Sequence, residues 1–196
     1  MLAEEVDGEP YLFLALGSIN NVLGRWEEAG FWLDKGLALE MEDRYVQAML
    51  FNELAYVMAR QGQHLDGSLR LVRRALDLFP DKNANGFIRD TLGLIYLKQK
   101  KNDKALRNLM EAVAKDPGVI SRLHLAIDLM RSQDRPGALK HLRMIAAARP
   151  TLDSPHLEET QILRRVQSQI GKLEELLNLG GSAELEEAEG MLQDLF

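Results

Sequence analysis

The stretch 90–117, DTLGLIYLKQKKNDKALRNLMEAVAKDP, decides the fold. Leu92 and Gly93 lead to Tyr96, then to Ala105, Leu109 and Ala112, and Pro117 closes the stretch. Spacings of three and four place these residues on one face of each of two successive helices. Gly93 and Ala105 are small because two helix backbones meet there, and a larger side chain would push them apart. Pro117 cannot continue the helix before it.

The same order recurs along the chain. From Leu16 the sequence LGSINNVLGRWEEAGFWLDKGLALEM sets Leu16 and Gly17 ahead of Gly24, Trp26, Ala29, Leu33, Gly36 and Leu37. Gly17 to Ala29 spans twelve residues, as does Gly93 to Ala105. Ala126 to Ala138 repeats the interval and continues to Leu142, Ile145 and Pro150. A further copy runs from Leu54 and Ala55 through Leu65, Ser68, Val72 and Ala75 to Pro80, with one extra residue in its turn near Gly62. The copies predict helix pairs over 10–23 and 26–40, 45–61 and 65–79, 84–99 and 102–115, and 119–132 and 135–148. The joins near Glu42 to Tyr45 and near Asp81 to Gly86 are longer than the others, so the stacking is expected to be irregular there.

This pattern resembles the tetratricopeptide repeat family, whose unit is about 34 residues. The resemblance covers 10–150, and the stretch 52–106 is similar to the bacterial branch of the family. Gly36 and Met41 depart from it, standing where alanine and proline are usual. The family implies an all-α, right-handed α-solenoid of about four helix pairs, preceded here by an acidic segment, 1–9, and followed by C-terminal helices, 151–196.

In that tail, Ser154 and Pro155 read as an N-cap and a first helical position. Leu163, Val166, Ile170, Leu173 and Leu177 then form a stripe on a helix over 155–178, which Gly180 and Gly181 end. Ser182 opens a last helix with Leu185, Ala188, Leu192 and Leu195 on one face. An exposed solenoid end needs a cap, and that is the favoured reading. The alternative is a homodimer through the stripe.

Composition narrows the chemistry. The 196 residues are 46% hydrophobic and 28% charged, and none is cysteine. This excludes disulfides, thiolate metal sites and cysteine nucleophiles, and suits a cytoplasmic protein, or a periplasmic one whose signal was removed. The opening MLAEEVDGEP is acidic rather than a basic-apolar signal, and no run is long enough to insert in a membrane. Net charge is −8 over 1–43, +9 over 44–150 and −7 over 151–196. The basic middle holds Arg70, Arg73, Arg74, Lys98, Lys100, Lys101, Lys104 and Arg107. It lacks stacking aromatics, so it reads as a surface for an acidic protein segment rather than for nucleic acid.

No phosphate loop, nucleophile elbow or metalloprotease helix occurs, so no catalytic residue, metal or cofactor is assigned. His64, His124, His141 and His156 are scattered. His124, His141, His156 and Glu158 are the one combination with metal-ligand chemistry, and they read as ordinary polar positions. Adjacent glutamates such as Glu27–Glu28 and Glu174–Glu175 diverge by about 100° on a helix and do not make a catalytic pair.

The resemblance implies a protein-binding scaffold or adaptor, not an enzyme, with another protein or a peptide as partner. In the family the first helix of each pair lines a concave groove. The corresponding positions are Tyr11, Leu14 and Ser18; Met49, Asn52, Tyr56 and Arg60; Phe87, Asp90, Leu94 and Lys98; and Leu123, Ile127, Met130 and Arg131. Leu14, Ser18, Phe87 and Thr91 stand where the family's carboxylate clamp carries lysine, asparagine, lysine and arginine, so that activity is not implied. A largely apolar groove calls for a cover: an amphipathic helix, a second copy, or the chain's own C-terminal helix. Other readings are an accessory module of a larger secretion, polysaccharide-export or enzyme protein, and a self-assembling homo-oligomer.

Overall fold

The structure, a computed structural model, describes residues 10–79, 81, 85–148 and 157–194, with the backbone alone for 157–159 and 193. Among the described residues there are ten helices and no strand. They are α1 (Pro10–Val22), α2 (Trp26–Leu37), α3 (Arg44–Arg60), α4 (Leu65–Leu78), α5 (Gly86–Lys98), α6 (Asn102–Lys115), α7 (Val119–Arg131), α8 (Arg135–Ala147), α9 (Leu157–Leu179) and α10 (Ser182–Gln193). The eight repeat helices end within three residues of the positions expected from sequence. The segment 1–9, Pro80, Pro150, Ser154–Pro155 and Leu195 lie outside the described residues.

Local chemistry sets several boundaries. The Asp43 side chain accepts from the Tyr45 and Val46 backbone N–H groups and caps α3. Asp134 accepts from the Gly137 N–H at 3.0 Å, and Pro136 fits the first turn of α8. Each turn inside a pair uses a left-handed residue: Gly24, Gly62 with His64, Lys100 and Gln133. Glycine takes that backbone freely, whereas Lys100 and Gln133 take it at a steric cost.

The helices form two layers. One holds α1, α3, α5, α7 and α9, each against the next; the other holds α2, α4, α6 and α8, each wedged between two members of the first. The small positions behave as the spacing requires. A Cβ on Gly17 would sit 2.5 Å from the Leu33 side chain, and one on Gly93 2.6 Å from Leu109. Leu33, Val72, Leu109 and Leu142, one per repeat, are fully buried.

The apolar interior is in two parts. Ala29, Leu33, Val46, Leu50, Leu54 and Val57 form a smaller cluster between the first two repeats. A larger cluster runs from Ala48 and Phe51 to Leu192. Partly buried Leu37 and Leu71 touch both.

The tail completes the solenoid. α9 takes the next place in the first layer, against α7 and α8, and buries Leu163, Val166, Leu173 and Leu177, with Ile170 partly covered. The stripe is therefore spent within the chain. α10 departs from the repeat. It packs on α9 and on α7, whereas no close packing joins α4 to α1, α6 to α3 or α8 to α5. Since α8 covers α7 and α9 from the second layer, α10 lies on the opposite, concave side.

Candidate functional site

Away from α10, the concave side of the first layer bounds a cleft of about 560 Å³. Of the groove positions expected from sequence, Leu14, Ser18, Met49, Asn52, Tyr56, Phe87 and Asp90 line it. They come from α1, α3 and α5, because the first helix of each pair shows the same turn positions to the concave side. Tyr11 stands outside the cleft, 54% exposed, and its hydroxyl donates to Asp43 Oδ2 at 2.6 Å. That hydrogen bond, followed by the one from the Val46 N–H, holds the Asp43 carboxyl below its ordinary range and raises the Tyr11 phenol. It also pins α1 to the longer join before α3.

The remaining expected positions are elsewhere. Leu94, Leu123, Ile127 and Met130 are inside the solenoid. Arg60, Lys98 and Arg131 end α3, α5 and α7 and form a cationic row along the edge of the concave face. Arg60 stacks over Trp26, 4.6 Å from its ring centre. Arg131 meets Glu189 of α10 at 2.5 to 2.6 Å. Lys98 is pushed below the usual lysine range, first by partial burial and then by the charges of Arg131 and Arg60.

The cleft also uses residues that helical periodicity did not single out. Ile19, Leu23 and Tyr45 form an exposed apolar rim, and Glu53, which accepts from Ser18, adds a carboxylate. Asp116 and Gly118 enter from the join between α6 and α7, and Ile120 and Ser121 from the first turn of α7. A join carries no period, so nothing in the spacing points to Asp116 or Gly118. The Ser121 hydroxyl donates to the Asp116 carbonyl at 2.9 Å and fixes that corner.

At the floor, Asp90 and His124 make a buried pair. His124 Nδ1 lies 2.9 and 2.8 Å from the two Asp90 oxygens, and the imidazole is fully buried. The pair ties α5 to α7, and the Tyr56 ring stands edge-on to His124 with centres 6.4 Å apart.

The other polar candidates do not join the cleft. Arg70, Arg73, Arg74, Lys104 and Arg107 are exposed on α4 and α6, in the second layer, while Lys100 and Lys101 are exposed in the turn between α5 and α6. The basic middle of the chain therefore faces mainly away from the concave side. His141 is partly buried, which lowers its pKa, with Arg122 and Lys140 adding to the effect. His156 and Glu158 lie outside the described side chains. Among the described residues no group of three or more His, Asp or Glu could hold a metal ion. Also among them, no helix is long and apolar enough to cross a membrane.

Two layers of paired helices, a concave cleft along the first helices and small residues in phase at their crossings define one architecture. It is a tetratricopeptide-type solenoid. Among solved structures, this chain is similar to YrrB, described as a TPR protein with an unusual peptide-binding site, at 16% identity and TM-score 0.51. That match covers 98% of this chain and 89% of the other. It is similar also to MamA MSR-1 C2, at 18% identity and TM-score 0.50, over 93% of this chain and 95% of that one. No family model matches the sequence, and no curated protein does. At these identities the likeness describes the tetratricopeptide backbone, and site chemistry rests on the side chains above.

Proposed function

We propose that the chain is a non-enzymatic protein-interaction scaffold that takes a peptide or an amphipathic helix of another protein in the cleft between α1, α3, α5 and the start of α7. The observation that carries this reading is the apolar rim. Ile19 is 56% exposed, Leu23 58% and Tyr45 46%, beside the partly buried Met49 and Phe87 that line the same cleft. Each apolar side chain that a partner buries there contributes about 1.5–3 kcal/mol before ordering costs. Aromatic and methionine side chains suit such a surface because they offer large contact area and adapt to the partner. The neighbouring polar groups, Ser18, Asn52 and Glu53, give direction to an otherwise greasy contact.

The test is a selection of displayed peptides on the full chain, followed by binding to two variants. Ile19→Glu together with Met49→Glu puts charge in the cleft. Met110→Glu puts the same charge at an exposed residue of α6, in the second layer. Selected peptides are expected to lose at least tenfold in affinity for the first variant and to bind the second as they bind the parent. Equal binding to all three proteins would move the site off the cleft and defeat the proposal.

A further inference from the structure

The concave face has a second region, beyond the cleft, and there the chain supplies its own occupant. We propose that α10 is a displaceable occupant of the α7 concave surface, and that this surface takes an acidic amphipathic helix from another protein when α10 leaves. This site is separate from the cleft proposed above and does not depend on it.

Three observations support the assignment. The first is position. Among the described helices, α10 alone crosses to the open side of the first layer, and its contact with α7 has no equivalent in the repeats. The second is the nature of the attachment. Among the described side chains of α10, Ala188 and Leu192 alone are fully buried, with Leu185 and Met191 partly covered, so a short apolar strip holds the helix down. Gly180, at φ +72°, and Gly181 form the joint to α9. α9, by contrast, buries four large side chains of its stripe and packs on both α7 and α8.

The third is charge. α10 carries Glu184, Glu186, Glu187 and Glu189 and no basic residue. Glu189 meets Arg131, the last member of the Arg60–Lys98–Arg131 row, and Glu187 pairs with Lys172 of α9. Lys98 is depressed first by partial burial and then by Arg131 and Arg60, which places the three cations near one another at one edge of the concave face. A helix with a short apolar strip flanked by carboxylates answers both features, and α10 shows how one of its carboxylates docks. A longer acidic helix would replace the strip of α10 with its own and extend along the row from Arg131 towards Lys98.

The experiment uses the full chain. Ala188→Glu with Leu192→Glu removes the strip from α10 and leaves α7 untouched. The probe is a synthetic peptide of residues 182–193, titrated to millimolar concentration while the α7 amide resonances are followed. The variant is expected to respond to the peptide at concentrations at least tenfold below those needed by the parent, whose site is filled. Adding Arg131→Glu should abolish the response, and a peptide carrying Glu189→Arg should restore it. The charge swap ties the response to the Arg131 contact. A folded variant whose α7 resonances ignore the peptide, or a response indifferent to Arg131, overturns the proposal. If the variant does not fold, hydrogen exchange on the parent decides. Amides of α10 should be protected at least tenfold less than those of α9, and equal protection refutes displacement. Peptides selected for the cleft should bind the α10 variant unchanged, so the two sites fail independently.

Discussion

Asp128 is the residue whose replacement tells most about the stability of this chain. It occupies the turn of α7 that Val57 and Ile95 occupy in α3 and α5, where both are buried. Its side chain is fully buried, and neither carboxylate oxygen has a hydrogen-bond partner among the described residues. Burial raises its pKa from 3.8 to about 6; Arg131 opposes the rise and Asp103 adds to it. The folded state thus favours the neutral acid. Below pH 4 the group is protonated folded or unfolded and costs nothing. As pH climbs from about 4 to about 6 only the unfolded chain releases its proton, and stability falls. The loss levels off above the folded pKa. At 1.36 kcal/mol per pKa unit it amounts to roughly 2–3 kcal/mol at neutral pH, a sizeable part of the 5–15 kcal/mol typical of a domain.

Asp128→Asn keeps the shape and removes the titration. Urea unfolding of parent and variant should give a gap that widens by about 2–3 kcal/mol between pH 4 and pH 7, the variant becoming relatively more stable. In melting temperature this is roughly 4–12 °C for a chain of this size. Other carboxylates change with pH in both proteins and cancel in the difference. A gap that stays constant across that range would show that Asp128 is not a buried neutral acid, and the reasoning would fail.

Two further outcomes follow from buried polar groups and backbone strain. His124→Ala leaves the Asp90 carboxylate buried without its partner and should cost about 3–5 kcal/mol, while adding Asp90→Ala should cost less than the sum, a coupling a denaturation cycle measures directly. Lys100→Gly and Gln133→Gly relieve left-handed backbone that the equivalent Gly24 takes freely. After glycine's entropy cost, each should stabilise by up to about 1 kcal/mol, seen as a higher urea midpoint.

The repeat phase was readable because four copies set small residues at the same crossings, and a solenoid multiplies one packing rule. The stripe on α9 was readable for the same reason. The concave surface was harder. A first helix such as α5 is covered by α3, α4, α6 and α7, and its apolar residues run nearly all round. A periodic pattern then cannot separate Leu94, which packs inside, from Phe87, which lines the cleft. Asp116 belongs to a join and Ser121 to the first turn of α7, where no repeat position marks them. The path of α10 was open for a different reason. Leu185, Ala188 and Leu192 describe a sticky face but not which wall of the solenoid it meets. The packing of α10 on α7 and the pairing of Glu189 with Arg131 identify that wall.

The divided interior gives the cleft a mechanical character. α2 rests on the smaller cluster with α1 beside it, whereas α5 to α8 belong to the larger one; α3 gives one face to each, and among the described side chains partly buried Leu37 and Leu71 touch both. The cleft straddles the division, with Leu14 and Ile19 on one bank and Phe87 and Asp90 on the other. Its width is therefore a soft coordinate, governed by how α1 and α2 lean against the rest, while its floor is stiff. An occupant reaching from bank to bank would act as a brace. Its signature would be slowed amide exchange in α1 and α2, far from most of the solenoid it touches, with little change in α5 to α8.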